Sequence, residues 1–507
     1  MEYKDYGSIQ STDMRRTICV EASLKAAVLP SRSLPNCGLE NLHDDVFDAI
    51  LGMLLSDPTN DAIKNLSCLS RGLRNLHVIY IQNYWPPGWD DKFGIELPHL
   101  PNIHTVTFRK VDCGVPWSII AACLEIPHIK SIHFQSNAMW TNSPPFPQAE
   151  VAQASNRLTT LSYTPYTWRE SMSALEKSDL AVEYDLEAAC LSGLLFGMTA
   201  TAESLTLPFE TAPLSRMSES LWPRLQSLSL YGRALEGAPA VTLSSLVHGM
   251  PSLRRLSVNV AALSSSSDQD ERRSSSSTST MLYLRSLTIA YPDPDDAIFS
   301  MVGATLRHLS LRDWPRYYYN LYCPGDAIWD ALLLSSSSCL KILRRMNLTR
   351  LTDLELVYQA DNAEEDLLRY LSSEIPYLAH LEIHRYRSDG DSCVPYGRIA
   401  NILTGLRSLH TLHLNLNFDE TCGIYCNKSH LRDHWRQELE AIGFEILHIT
   451  QTGPELAFIA LLHHRQVNSQ WVEFYPSWHA KGLHADWDDA GLRGDSEPLP
   501  YVPFICR

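Results

Sequence analysis

From residue 103 the chain repeats one short pattern: an apolar residue, two variable ones, a second apolar residue, one variable residue and a third apolar residue. It reads IHTVTF from 103, IKSIHF from 129, LTTLSY from 158, AESLTL from 202, LQSLSL from 225 and LRRLSV from 253. It continues as LRSLTI from 284, LRHLSL from 306, LTDLEL from 351, LAHLEI from 378, LHTLHL from 409 and, in weaker form, FEILHI from 444. Alternation in the second half of each hexad predicts a short strand with one buried face, the first apolar residue turning in from the preceding loop. Between hexads the spacing changes to three and four, as in LSSLVHGMPSL, AIFSMVGATL, LLRYLSSEIPYL and RIANILTGLRSL, which predicts a helix ahead of each strand. Strands joined by crossover helices must be parallel. Stacking them buries a shared leucine spine worth about 1.5–3 kcal/mol per side chain. Successive hexads start 22 to 45 residues apart, so the array is irregular, with the widest gaps after 158 and 306.

The stretch ahead of the array has helical spacing from its outset. In LENLHDDVFDAILGMLL, residues 39 to 55, Val46, Phe47, Ile50, Leu51, Leu54 and Leu55 form one apolar stripe, with Asp44 and Asp45 at the predicted helix start. A second segment after Pro58 carries Ile63, Leu66, Leu69, Leu73 and Leu76 at the same spacing. The pattern at Leu39, Leu42, Asp45, Val46, Ile50 and Leu51, followed by Leu66, Leu69, Ser70, Arg71, Leu73 and Leu76, resembles an F-box. The hexads resemble leucine-rich repeats, and together they match the fungal-type F-box/leucine-rich-repeat family. His43 stands where that family usually carries proline.

The resemblance implies an N-terminal three-helix module followed by an α/β solenoid, with parallel strands on a concave face and helices on the convex one. It also implies a role as the substrate receptor of a cullin-RING ubiquitin ligase, docked on a Skp-type adaptor and through it on a cullin. Leu39, Leu42, His43, Val46, Ile50, Leu51, Leu54, Leu66, Leu69 and Leu73 would hold the adaptor. The expected layout is a flexible tail over 1–34, the helical module over 35–84, a linker over 85–100, the solenoid over 101–450 and a C-terminal cap and tail over 451–507. The alternative is a non-catalytic repeat scaffold with no ubiquitin link, the N-terminal helices serving as its cap.

Composition narrows the classes further. A formal charge of -16 disfavours nucleic acid as a partner, and no apolar run reaches the roughly eighteen residues that span a bilayer. Acidic residues in the first thirty positions break any export signal. A cytoplasmic or nuclear protein is therefore expected, its twelve cysteines reduced. No phosphate loop, nucleophile elbow or metalloprotease signature occurs. Cys422, Cys426 and His430 lack a second ligand pair, so neither a metal, a cofactor nor an enzyme activity is expected.

In-register hexads place one outward residue per strand in a column: Thr107, His133, Ser162, Thr206, Ser229, Ser257, Thr288, Ser310, Glu355, Glu382, His413 and His448. Hydroxyls fill its middle and carboxylates then imidazoles its end. With Arg312 and His384, one further outward position along, Glu355, Glu382, His413 and His448 make a candidate substrate-binding patch for a basic segment, the alternative being a solvated polar face of mutually supportive pairs. The Ser-rich segment 262–280 lacks apolar anchors and is expected to be a loop excursion. Limited proteolysis of the intact protein should cut first within 262–280, as mapped by mass spectrometry of the fragments; first cleavage inside a hexad would contradict that assignment.

Overall fold

The computed structural model describes residues 19–21, 75–79, 103–109, 115–135, 151, 153–164, 177–233, 242–261, 283–318, 333–388, 393–418, 429–450, 456–464, 469–476 and 485–486. The F-box-like residues 39–73 and the Ser-rich loop 262–280 lie outside them. The chain forms two compact units, 1–144 and 145–507.

In the first unit, β1 (Cys19–Glu21) pairs antiparallel with β2 (Asn75–Ile79). Parallel pairing then runs from β2 to β3 (Thr105–Arg109) and on to β4 (Ser131–Gln135), with the helix Trp117–Glu125 between β3 and β4 in the chain. Leu76 pairs with Val106, and Val106 with Ile132. This corrects the sequence reading, which continues a helix through Leu76 and closes the helical module at 84. Residues 73–78, LRNLHV, are themselves a hexad. Their alternating second half extends the parallel ladder to a neighbour, as an isolated helical turn does not.

In the second unit a single parallel ladder carries β5 (Thr160–Thr164), β6 (Ser204–Pro208), β7 (Ser227–Arg233), β8 (Arg255–Ala261), β9 (Ser286–Ala290) and β10 (His308–Arg312). After β11 (Leu334–Ser335), which meets only the far end of the next strand, come β12 (Asp353–Gln359), β13 (His380–Tyr386), β14 (Thr411–Asn415) and β15 (Phe458–His464), again parallel. The antiparallel strands β16 (Ser469–Phe474) and β17 (Ala485–Asp486) close the edge. The helices Ser336–Arg345, Glu364–Glu374, Tyr396–Leu403 and Ser429–Thr450 contact one another in chain order, forming a layer on one face of the sheet. An α/β repeat array results.

The hexads explain the register. Leu225, Leu228 and Leu230 are buried, as are Leu284, Leu287 and Ile289, and Leu351, Leu354 and Leu356. The same three positions repeat on every strand from β7 to β14 except the two-residue β11, so a one-residue slip on any of the others would expose its whole apolar set. Neither wide gap adds a full repeat strand among the described residues: the first contains the helix Lys177–Gly197, and β10 pairs directly with β12 across the second.

The end of the array departs from expectation. FEILHI lies within the helix Ser429–Thr450, so His448 is not on the strand column. Trp435, Leu439, Gly443, Ile446, Leu447 and Thr450 are buried at steps of three and four, and that longer period outweighs the local hexad. The last repeat strand is β15, whose hexad LAFIAL starts at 456, and Ala460 takes the place beside His413. The array therefore passes the expected boundary at 450. Gly443 lets this helix approach β16, because any Cβ there would run into the Phe474 ring. Gly443→Val should lower unfolding free energy by about 1–3 kcal/mol through overpacking, as measured by denaturant titration, with the helical circular dichroism signal retained.

Candidate functional site

Strand pairing aligns the column of the second unit from Thr206 to His413. Thr206, Ser229, Ser257, Thr288 and Ser310 are successive partners, and Ser310, Glu355, Glu382 and His413 continue the row. A concavity of about 340 Å³ opens over its acidic end, lined in part by Ser310, Glu355, Glu382, His413, His380 and His308. His308 pairs with Asp353 at 3.0 Å.

The carboxylates are not a bare patch. After β10 the chain turns back over the helix-free face, and Arg316 places its guanidinium between them. Its Nη1 donates to Glu355 Oε1 at 2.7 Å and to Asp313 Oδ1 at 3.1 Å, and its Nη2 reaches Glu382 Oε1 at 3.4 Å. Arg312 Nε lies 3.6 Å from Glu355 Oε1, while the Ser310 hydroxyl donates to Glu355 Oε2 at 2.6 Å. Asp313 is fully buried and also accepts from the Tyr317 backbone N–H and the Tyr386 hydroxyl. Arg316 therefore occupies the position that the sequence reading assigns to a basic ligand. Arginine suits the place because its planar fork serves several carboxylate oxygens at once.

His384 is completely buried and its tautomer follows from its neighbours. The Asn417 N–H donates to Asn415 Oδ1, turning the Asn415 amide nitrogen toward His384 Nδ1 at 3.3 Å. Nδ1 is then the acceptor, and Nε2 carries the proton that it donates to Glu382 Oε1 at 2.7 Å. Three carboxylates thus face two guanidiniums and the His384 imidazole.

Burial alone would raise the Glu355 carboxyl, but the Arg316 and Arg312 guanidiniums, helped by the Ser310 hydroxyl, hold it down at about 2. Burial likewise opposes ionisation of Glu382, and the hydrogen bond from His384 leads the effects that keep it below the ordinary carboxylate range. Around this network Tyr318, Val357, Tyr386, Ala460, Leu462 and Trp471 form a small apolar core. Trp471 sets its ring edge-on to both His384 and His413. The helix-free face thus carries a packed layer at its C-terminal end and a hydroxyl-lined surface before it.

Glu355, Glu382 and His384 offer donor atoms within 4.8 Å of one another. Arg316 already supplies positive charge to both carboxylates, and His384 turns its proton-bearing nitrogen toward Glu382, so the group is saturated by protein contacts rather than shaped around an ion. Burial pushes the Cys123 and Cys339 thiols well above their usual range, which leaves them as core residues rather than nucleophiles. Of the expected patch, the structure brings together Arg312, Glu355, Glu382, His384 and His413, and it removes His448. Sequence reasoning missed Arg316, Asp313 and Trp471; neither the 306–351 gap nor the C-terminal segment contains a hexad-like signal for where those residues fold.

No protein-family model matches the chain, nor does any curated protein. Solved structures similar to it include an internalin from Listeria monocytogenes, at 12% identity over 70% of this chain and 80% of that one, with a TM-score of 0.31. The yeast Rad7 and Elc1 complex shows 13% identity over 64% and 73%, with a TM-score of 0.33. The Toll–Spatzle complex from Drosophila shows 11% identity over 68% and 44%, with a TM-score of 0.27. These likenesses are shallow. The fold assignment rests on the chain's own register.

Two outcomes follow from the ion network. Arg316→Ala leaves three buried or mostly buried carboxylates without their shared partner and should cost about 3 kcal/mol or more, whereas Lys341→Ala, which breaks the exposed Lys341–Asp295 pair, should leave the melting temperature near wild type. Because the Glu355 carboxyl is held at about 2 against an ordinary 4.5, its stabilisation is fully present above the ordinary value and is lost as pH falls toward 2. Melting temperature measured across that window should fall steeply for the wild type. Glu355→Gln should be less stable at neutral pH and show a shallower acid slope.

Proposed function

We propose that the protein is a non-catalytic receptor that presents its repeat array to a protein substrate and docks through residues 39–73 on a Skp-type adaptor of a cullin-RING ubiquitin ligase. The observation that carries this reading is the F-box-like spacing of Leu39, Leu42, Val46, Ile50 and Leu51 ahead of an array whose first hexad starts at 73. A module of that size has little interior for both of its apolar faces, so one face is left for a partner.

The array suits recognition more than reaction. Several of its described side chains of catalytic type are engaged in structure: Glu355 and Glu382 on Arg316, and Cys123 and Cys339 in the core. Among the described residues, no helix is long and apolar enough to cross a membrane. In the proposed mechanism the array holds the substrate while the adaptor fixes the whole near the charged conjugating enzyme, and the gain is one of effective concentration. The ubiquitin-transfer chemistry belongs to the partners. The Ser and Thr column from Thr206 to Ser310 is the surface offered to substrate, because Arg316, on the segment after β10, already engages the carboxylates of the acidic end.

Capture by an immobilised Skp-type adaptor tests the docking. The wild-type chain should bind at micromolar concentration or tighter, and Leu42→Asp and Ile50→Asp should each weaken binding at least about thirtyfold, equivalent to about 2 kcal/mol. Both variants should keep the wild-type melting temperature, since a terminal module contacts only the start of a repeat array. No wild-type capture would leave the scaffold reading, without a ubiquitin link.

A further inference from the structure

Three arginines occupy one structural position on adjacent strands. Arg254, Arg285 and Arg307 each stand one residue before β8, β9 and β10. Their backbones form a ladder, with Arg285 N donating to Arg254 O at 2.8 Å and Arg307 N to Arg285 O at 2.9 Å. Adjacent strands are about 4.8 Å apart, so the three cationic side chains start from a line roughly 10 Å long. Arg255 follows Arg254 at the start of β8, and all four residues are exposed.

The row sets several like charges on neighbouring strands. Among the described residues no carboxylate pairs with Arg254, Arg255, Arg285 or Arg307, although Asp and Glu outnumber Lys and Arg by 58 to 42 in the chain. Neighbouring basic groups do find partners: Arg224 pairs with Glu203 on the β7 side, His308 with Asp353 on the β12 side, and Lys341 with Asp295. Like charges on adjacent strands repel, and no carboxylate of the described residues compensates this row. An external anion would do so.

We propose that Arg254, Arg255, Arg285 and Arg307 form a docking row for a short acidic segment of a partner protein. The length fits: three strands span about as much as three to four extended residues at roughly 3.3 Å each. Guanidinium forks match carboxylates in paired hydrogen bonds. The limits of the row select against long polyanions, because Glu203 and Asp353 bound it and the net charge of -16 repels nucleic acid and anionic bilayers at longer range. The row is separate from the covered acidic end and does not depend on residues 39–73, so adaptor binding and this contact stand or fall independently.

Fluorescence anisotropy of a labelled tetraglutamate peptide with the full-length chain tests the proposal. Saturable binding is expected at low salt, weakening as ionic strength rises. The double variant Arg254→Glu/Arg307→Glu should lose at least about tenfold in affinity and Arg285→Gln severalfold, while Lys341→Gln, which removes one charge elsewhere, should bind as wild type does. Unchanged melting temperatures would show that the exposed substitutions leave the fold intact. Absence of saturable binding would overturn the proposal, as would equal binding by the double variant. Tighter binding of a single-stranded oligonucleotide of equal charge, abolished by the same substitutions, would overturn it in favour of a nucleic-acid surface.

Discussion

The structure depends on the simultaneous burial of three apolar positions in the hexads of the repeat strands. Each strand has only a few residues, and a short strand alone gains too little to hold its backbone ordered. Aligned with its neighbours, its first, fourth and sixth positions enter one spine, from Leu225, Leu228 and Leu230 to Leu409, Leu412 and Leu414. Burial thereby fixes the register, and the register fixes everything presented on the opposite face. The hydroxyl column, the carboxylates of β12 and β13 and the arginine row at the strand starts are consequences of one alignment.

Two kinds of polar surface arise from that alignment. Toward the C-terminal end, the segment after β10 folds over the sheet, and Arg316 joins Asp313, Glu355 and Glu382 in a mostly buried network. Its carboxylates are tied too closely to one guanidinium for a loose basic ligand to replace it without breaking several hydrogen bonds. On the strands before it, the hydroxyls remain on the surface, and Arg254, Arg255, Arg285 and Arg307, at the starts of β8, β9 and β10, have no acidic partner among the described residues. The first kind of surface specifies structure, and the second is where recognition has room to act.

The hexads alone determined the α/β class, the parallel pairing, the leucine spine and most of the outward column, because alternation within a strand and helical spacing before it are local signals. Local signals also misled where two periods overlap. LRNLHV and FEILHI each satisfy both a strand and a helix pattern, and only neighbours decide between them: Leu76 meets Val106 in a sheet, whereas the stripe from Trp435 to Thr450 packs as a helix. Tertiary structure alone placed Arg316 on Glu355 and Trp471 beside His384 and His413. Those contacts join residues far apart in sequence through segments with no repeat, and a contact made by chain return leaves no periodic trace. The sequence by itself therefore determined the frame and its outward order. Which outward residues stay accessible was decided by where the non-repeating segments fold, since burial of a charge depends on the partner brought to it rather than on its own position in a strand.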